Sequence, residues 1–453
     1  MNMSFLQELL SSITQRDALQ RRFGSRKNTY TPADLEAACH KLLESDGEAT
    51  GIVLAHRALE IYQSLEDDEK QAFFDILART FAADPGKIDA AYRQYKTDRS
   101  NQSLVELFDV CEPLRQELLR RLNLAQGATY ELVRMRQDFL RLMKDHKDFD
   151  AINADFVHLF ASWFNRGFLV LKRIDWTTPA TILEKLIRYE AVHKIHGWDD
   201  LRRRLDDRDR RCFGFFHPAI GDEPLIFVEV ALTQGLPDKI QPILSNEHYD
   251  IEAPELADTA AFFGISNCQV GLRGISFGNF LIKQVVQELK QELPNLKNFV
   301  TLSPLPMFRS WLERTYAPEN GLLNAEAQEI LGKLSTPDWH LDPELSEQIN
   351  SVVRPLAARY LLKEKGRENL PLNPVARFHL GNGAELHRIN GLGDVSEKGM
   401  QQSAGLMVNY LYVIENIEKN NEKFSAHGEI VCSSSVRDLS KQGRKLFQGD
   451  NEK

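Results

Sequence analysis

The chain has 453 residues, 42% hydrophobic and 27% charged, with a formal net charge of −9. This length predicts two or three domains rather than one core, the composition excludes a disordered chain, and the acidic balance argues against general nucleic-acid binding. Five scattered cysteines without CxxC spacing exclude a disulfide framework, and no run of about 18 apolar residues predicts a membrane-spanning helix.

The N-terminal stretch "MNMSFLQELLSSITQRDALQRRF" is amphipathic and carries several arginines, but Glu8 and Asp17 favour an ordinary first helix over an organellar presequence. The C-terminal "DNEK" is no peroxisomal address, so the expected location is the cytoplasm. Residues 1–165 hold only five of the 26 glycines and three of the 18 prolines. In "TPADLEAACHKLLE", Thr31 suits an N-cap and Pro32 the first helical position. "GIVLAHRALEIYQSL" and "EKQAFFDILARTFA" repeat apolar residues at helical spacing, and "DPGK" at 84–87 breaks two helices. Residues 1–165 therefore read as a helical bundle.

From residue 166 the texture becomes mixed. "CFGFFHPAIGDEPLIFVEVALTQG" reads as two strands around a turn, "TAAFFGIS" as a strand, "NFLIKQVVQELKQEL" as a helix and "LKNFVTLS" as a strand. The charge run "DDLRRRLDDRDRR" (199–211) reads as a solvated helix face with i,i+4 pairs. "STPDWHLDPELSEQINSVVRPLAARYLLKEK" reads as helix. "VARFHLGNGAELHRING" reads as a hairpin turning at Asn382-Gly383, and "GLMVNYLYVIENIEKNNEKF" as a strand or a helix start.

"FFGISNCQVGLRGISFGNFLIKQVVQEL" (262–289) has the order strand, glycine-rich loop, helix. Gly271, Gly274 and Gly278 let backbone amides approach an anion at the helix N-terminus, and a pyrophosphate is the natural guest. The spacing is neither GxGxxG nor GxxxxGK[ST]. It resembles the acyl-CoA loop of the GNAT acyltransferase fold, in which the strands flanking the loop and helix splay apart around a thioester. Ser303 ends the second of these strands. Pro304 holds it extended, and Pro306 suits the first turn of a following helix.

The second half resembles the malonyl-CoA decarboxylase family. The residues carrying the likeness are "EAVHKIHGWDDLRRRL", "FFHPAIGDEPLIFVEVALT", "GISNCQVGLRGISFGNFLIKQVVQEL", "FVTLSPLPMFRSWL", "NPVARFHLGNGAELHRIN" and "DVSEKGMQQSAGLMVNYLY", in that order over about 190–412. Residues 1–165 resemble the family's helical oligomer-forming domain in character. The resemblance implies an α+β chain: an N-terminal all-α bundle (1–165), then a GNAT-like catalytic domain (166–453). It implies decarboxylation of malonyl-CoA to acetyl-CoA and CO2 by a homodimer or homotetramer joined through the bundle, with no nucleic-acid or membrane partner. Its catalytic residues fall on Ser303 in "LSPLP" and His379 in "ARFHLGNG". Its substrate loop falls on Arg273, Gly274, Ile275, Ser276, Phe277, Gly278 and Asn279. Vertebrate members carry an acidic residue where Ser276 stands.

Loss of CO2 leaves electrons that the thioester carbonyl accepts as an enolate. The substrate is its own electron sink, so no cofactor and no metal are expected. Ser303 would stabilise the enolate oxygen or relay a proton, and a histidine would deliver a proton to C2 near neutral pH. Of the 12 histidines, His387 is the rival to His379 across the expected hairpin. His193, His196 and His217 are read as structural or as carboxylate contacts, and Asn409 and Tyr412 as partners of His379. Two other readings stay open: an acyltransferase using the same fold and loop, and a scaffold that senses acyl-CoA without turnover.

Overall fold

The structure, a computed structural model, describes residues 30–144, 146, 149–206, 208–245, 254–275, 281–366 and 369–447. The chain divides between Leu159 and Phe160 into two compact units, a few residues before the boundary expected from composition. No helix among the described residues is long and apolar enough to cross a membrane.

The first unit is helical. Thr31 and Asp34 form a capping box at the start of helix Pro32–Leu43, with Pro32 in its first turn. Asp84 caps helix Pro85–Asp98 at the expected break. Leu35, Phe73, Phe74, Leu77 and Phe156 are almost fully buried, and Phe74 meets Phe139 edge-on at 5.2 Å. Such aromatic contacts add roughly 0.5–1.5 kcal/mol beyond their area. Helix Asn101–Cys111 departs from this pattern: Ser103 is its one buried residue.

The second unit is built on a mixed sheet. Its strands are β1 (Val170–Ile174), β2 (Arg210–Phe216), β3 (Pro224–Thr233), β4 (Thr259–Asn267), β5 (Asn298–Thr301), β6 (Ser303–Pro304), β7 (Glu385–Asn390) and β8 (Met407–Leu411). The order is β1-β2-β3-β4-β5-β8, with β6 and β7 also paired to β8. Among these described strand pairs only β4–β5 is parallel. A parallel pair needs a crossover, and here the crossover includes helix Leu281–Glu292. β2 and β3 are buried at every position, because both faces of the sheet are covered. Overall the chain is α+β, with helices first and the mixed sheet second.

Three expectations need correction. Residues 374–390 are not a hairpin. Asn373 caps helix Pro374–Gly381 by accepting from the Ala376 amide, and β7 follows. Asn382 has φ −90°, not the positive value of a tight hairpin turn. The charge run at 199–211 is only partly solvated: Arg204, Arg210 and Arg211 are buried, although Arg202 and Asp206 do form an i,i+4 pair. Helix Phe308–Thr315 begins beyond Pro306, after Met307 takes a left-handed φ of 64°.

Arg204 belongs to a buried charge cluster on the sheet face away from the candidate site. It meets Glu229 of β3 at 3.3 Å and Asp200 at 3.3 Å. Glu190 accepts from Ser266 Oγ of β4 at 2.8 Å. Gly264 makes room for the Glu229 carboxyl, since any side chain there would collide with it. Burial first, and then the nearby Glu190, push Glu229 up from the ordinary 4.5 to about 8, against the pull of Arg204. A raised carboxyl holds its proton more tightly folded than unfolded. Its contribution to stability is therefore complete below about pH 4.5 and is lost as pH rises to about 8. Thermal melts of Glu229→Gln should lose this part of the pH slope; an unchanged slope would show that Glu229 carries no extra proton.

Candidate active site

Parallel pairing of β4 with β5 runs from Thr259–Asn298 to Phe262–Thr301 and ends where the Leu302 amide donates to the Phe262 carbonyl. β4 then continues to Asn267 paired with β3 alone, while the segment after β5 turns to β8 through Ser303–Val408. The two strands thus part at Leu302, and Ser303 is the first residue beyond the parting. Ser303 is 5% exposed.

Strand alternation then places the side chains. Thr301 and Ser303 share a face with Val408, Tyr410 and Tyr412 of β8 and its extension. Ser303 Oγ lies 2.9 Å from Thr301 Oγ1 and 3.1 Å from His379 Nε2. His379 Nδ1 lies 2.9 Å from the Tyr412 hydroxyl. The imidazole stacks on Tyr410 at 4.7 Å with 24° between the planes. His379 sits in the last turn of helix Pro374–Gly381. That helix is tied to the serine segment by Asn373, whose Nδ2 donates to the Pro306 carbonyl at 2.9 Å.

Burial dominates the electrostatics. It lowers His379 from 6.5 to about 3, so the ring is neutral across the physiological range. This departs from the expectation of a histidine titrating near neutrality. Burial also keeps Tyr412 protonated, well above the ordinary tyrosine range. The constellation is an uncharged chain of three hydroxyls and one imidazole, with two ring nitrogens available to pass a proton.

Asn409 lies elsewhere. Its spacing from Tyr412 is odd, so a strand sends the two to opposite faces. Asn409 Nδ2 donates to the Thr301 carbonyl at 2.7 Å, and its Oδ1 accepts from Arg388 and Asn390. It steadies the strand under Thr301 and makes no bond to His379. His387 is on β7, beside Glu385 at 3.3 Å. His193 is buried and pushed down to about 4, mainly by burial. The His196 amide donates to Asp200, and His217 Nδ1 accepts from the Ala219 amide at 3.1 Å. None of these four bonds Ser303 or His379.

After β4 the chain forms a short turn, Val270–Leu272, then Arg273, Gly274 and Ile275. Gly274 has φ +79° and open space where a side chain would point. Ser276, Phe277, Gly278 and Asn279 lie outside the described residues. This loop backs a cavity of about 420 Å³, lined also by Ile226, Leu281, Phe378 and Asn382. Phe378 and Asn382 bring the histidine helix and its C-cap to the wall opposite the loop, while His379 and Ser303 themselves lie behind the lining. Among the described residues no group of three His, Cys, Asp or Glu is placed to hold a metal.

Thr301, Asn373 and Tyr410 were not singled out from sequence. Asn373-Pro374 carried a readable signal, an N-cap before a first-turn proline. Thr301 carried one too, a hydroxyl two residues before Ser303 and hence on the same strand face.

The malonyl-CoA decarboxylase C-terminal domain model matches residues 167–449, and the N-terminal domain model matches residues 81–164. The mitochondrial malonyl-CoA decarboxylase of Anser anser anser is 35% identical over 408 residues, covering 83% of this chain and 81% of that one. Crystal structures of malonyl-CoA decarboxylase from Rhodopseudomonas palustris and Agrobacterium vitis each cover 90% of this chain and 99% of their own. They share 53% and 50% identity with it, at TM-scores of 0.87 and 0.84. With both domain models matched in order, this chain belongs to the malonyl-CoA decarboxylase family.

Proposed function

We propose that this enzyme converts malonyl-CoA to acetyl-CoA and CO2 through a thioester enolate, with Ser303 and His379 as its catalytic residues. The observation that carries this reading is the chain Tyr412–His379–Ser303, hydrogen-bonded at 2.9 and 3.1 Å where β4 and β5 part.

In the reaction, the bond between C2 and the carboxylate breaks. CO2 leaves, and the electron pair moves into the thioester to give an enolate. With substrate bound, the Ser303 hydroxyl turns from Thr301 Oγ1, 2.9 Å away, to donate to the enolate oxygen; a donor of this kind is worth about 3–4 kcal/mol. The enolate then collapses and C2 takes the proton from His379 Nε2. The Tyr412 hydroxyl donates to Nδ1 in the same motion, so no bare imidazolate is left, and solvent restores the tyrosine proton on product release. Neutral donors suffice, because a thioester enolate is a far stronger base than tyrosinate. Because the thioester carbonyl is the electron sink, the scheme calls for no cofactor.

The CoA moiety lies along the loop formed by Arg273, Gly274, Ile275, Ser276, Phe277, Gly278 and Asn279, with backbone amides meeting the pyrophosphate. The cavity between Arg273 and Phe378 supports this route. Incubation with malonyl-CoA as the sole organic substrate tests the reading. The expected result is equimolar CO2 and acetyl-CoA. Turnover only with an added amine would mark an acyltransferase, and binding without turnover a sensor.

The helical unit carries the subunit contact of a homodimer or homotetramer. Support comes from helix Asn101–Cys111, where Val105 is 56% and Phe108 65% exposed. The two lie three residues apart and so share one helix face, and a contiguous exposed apolar patch is what marks a protein–protein contact. Phe108→Glu should lower the particle mass in light scattering while leaving turnover per chain intact; an unchanged mass would place the contact elsewhere.

A further inference from the structure

We infer that Thr301 is a positioning residue that sets the direction of the proton chain and so holds His379 in the tautomer with its proton on Nε2. The distances alone fit two opposite directions. In one, Tyr412 donates to Nδ1, Nε2 donates to Ser303, and Ser303 donates to Thr301. In the other, Ser303 donates to Nε2 and Nδ1 donates to Tyr412.

The two are separated by counting donors and acceptors. The Tyr412 hydroxyl is buried, and His379 Nδ1 is the one hydrogen-bond partner it has among the described residues. Were Nδ1 to carry the proton, the tyrosine O–H would face no acceptor there, and an unmade buried hydrogen bond costs about 1–3 kcal/mol. With the proton on Nε2, every donor has a place. Tyr412 donates to Nδ1, Nε2–H donates to Ser303 Oγ at 3.1 Å, and Ser303 O–H donates to Thr301 Oγ1 at 2.9 Å. The Thr301 hydroxyl in turn faces the Val408 carbonyl at 3.5 Å. The Tyr410 amide, donating to Thr301 Oγ1 at 3.1 Å, fixes where that oxygen sits. Asn409 anchors the Thr301 carbonyl from the opposite face of the sheet.

Thr301 is thus the acceptor that draws the serine proton away from the histidine. Without it, the nearest acceptor for Ser303 O–H is Nε2, so each direction leaves one buried hydroxyl unpaired, the preference for Nε2–H is lost and the reversed chain becomes populated. The reversed chain aims a lone pair, not a proton, at the position where C2 must be protonated. This kinetic consequence rests on the decarboxylase reading; the tautomer does not.

Two variants and one spectrum test the inference. Thr301→Val keeps the β-branched shape and removes the hydroxyl, whereas Thr301→Ser keeps the hydroxyl. The full-length protein, ¹⁵N-labelled at histidine, is read by ring-nitrogen NMR, with His379→Asn used to assign the signal. Wild type and Thr301→Ser should show a protonated Nε2, and Thr301→Val should shift toward a protonated Nδ1. In turnover of malonyl-CoA, Thr301→Val should lower kcat at least tenfold with KM near wild type, and Thr301→Ser should stay within threefold. A merely structural loss would not move the tautomer, nor would serine selectively rescue it. A wild-type ring protonated on Nδ1 overturns the inference even if Thr301→Val fails to fold. So does a folded Thr301→Val with unchanged tautomer and rate. Should the tautomer shift as expected while wild type releases no CO2, the decarboxylase reading fails and the inference about Thr301 stands.

Discussion

Asparagine in place of His379 should lower kcat by about 10²- to 10⁴-fold and leave the affinity for malonyl-CoA within about threefold. On the proposed mechanism the interaction lost is one the transition state needs and the bound substrate does not. The pH–rate profile of the variant should be lower but unchanged in shape. With His379 held at about 3, its own titration puts no limb between about pH 5 and pH 8. On sequence grounds alone, asparagine would have been expected to flatten a neutral limb. Complete burial of the ring against Tyr410 is what removes that limb. His387→Asn is the control and should stay within about tenfold of wild type, a barrier change of about 1.4 kcal/mol. Its partner is Glu385, on the same strand, and neither residue lines the cavity at the loop. A folded His379→Asn near the normal rate, beside an inactive His387→Asn, would move the proton donor to β7.

Ser303→Ala is the second large effect. Removing the proposed donor to the enolate oxygen should cost about 10²- to 10³-fold in kcat, again with little change in binding, because on the proposed route the CoA moiety lies on the loop at Arg273–Asn279 and not on the serine. The alanine leaves Thr301 and Nε2 facing a small apolar gap but keeps the backbone pairing to Val408. Ser303 and His379 serve one step, so the double variant should lose less than the product of the two single effects. Losses that multiply in full would mean that the two groups act in separate steps.

Much of the site could be read from the chain because its signals are local. Ser303 followed by Pro304 marks a strand end held extended, and that is where β5 gives way to β6. The glycine-rich loop follows a strand and precedes a helix, as its order implies. What escaped depended on distant partners or on competing local rules. Asn382-Gly383 is a strong hairpin signal, yet Gly383 is glycine because the Ile417 backbone leaves no room for a side chain. The stronger rule was Asn373-Pro374, a cap and first-turn proline that start a helix and put His379 in its last turn. Asn409 was grouped with Tyr412 although strand spacing sends them to opposite faces. Glu229, a carboxylate inside the apolar run "IFVEVAL", announces a buried charge; that Arg204 and Glu190 answer it could come only from the fold.

The most direct measurement compares CO2 release from malonyl-CoA alone by wild type, Ser303→Ala and His379→Asn, each verified as folded and able to bind CoA. The account predicts stoichiometric CO2 and acetyl-CoA from wild type and losses of at least about a hundredfold in both variants. Variants that release CO2 at the wild-type rate would contradict it, as would a wild type that binds malonyl-CoA and leaves it intact.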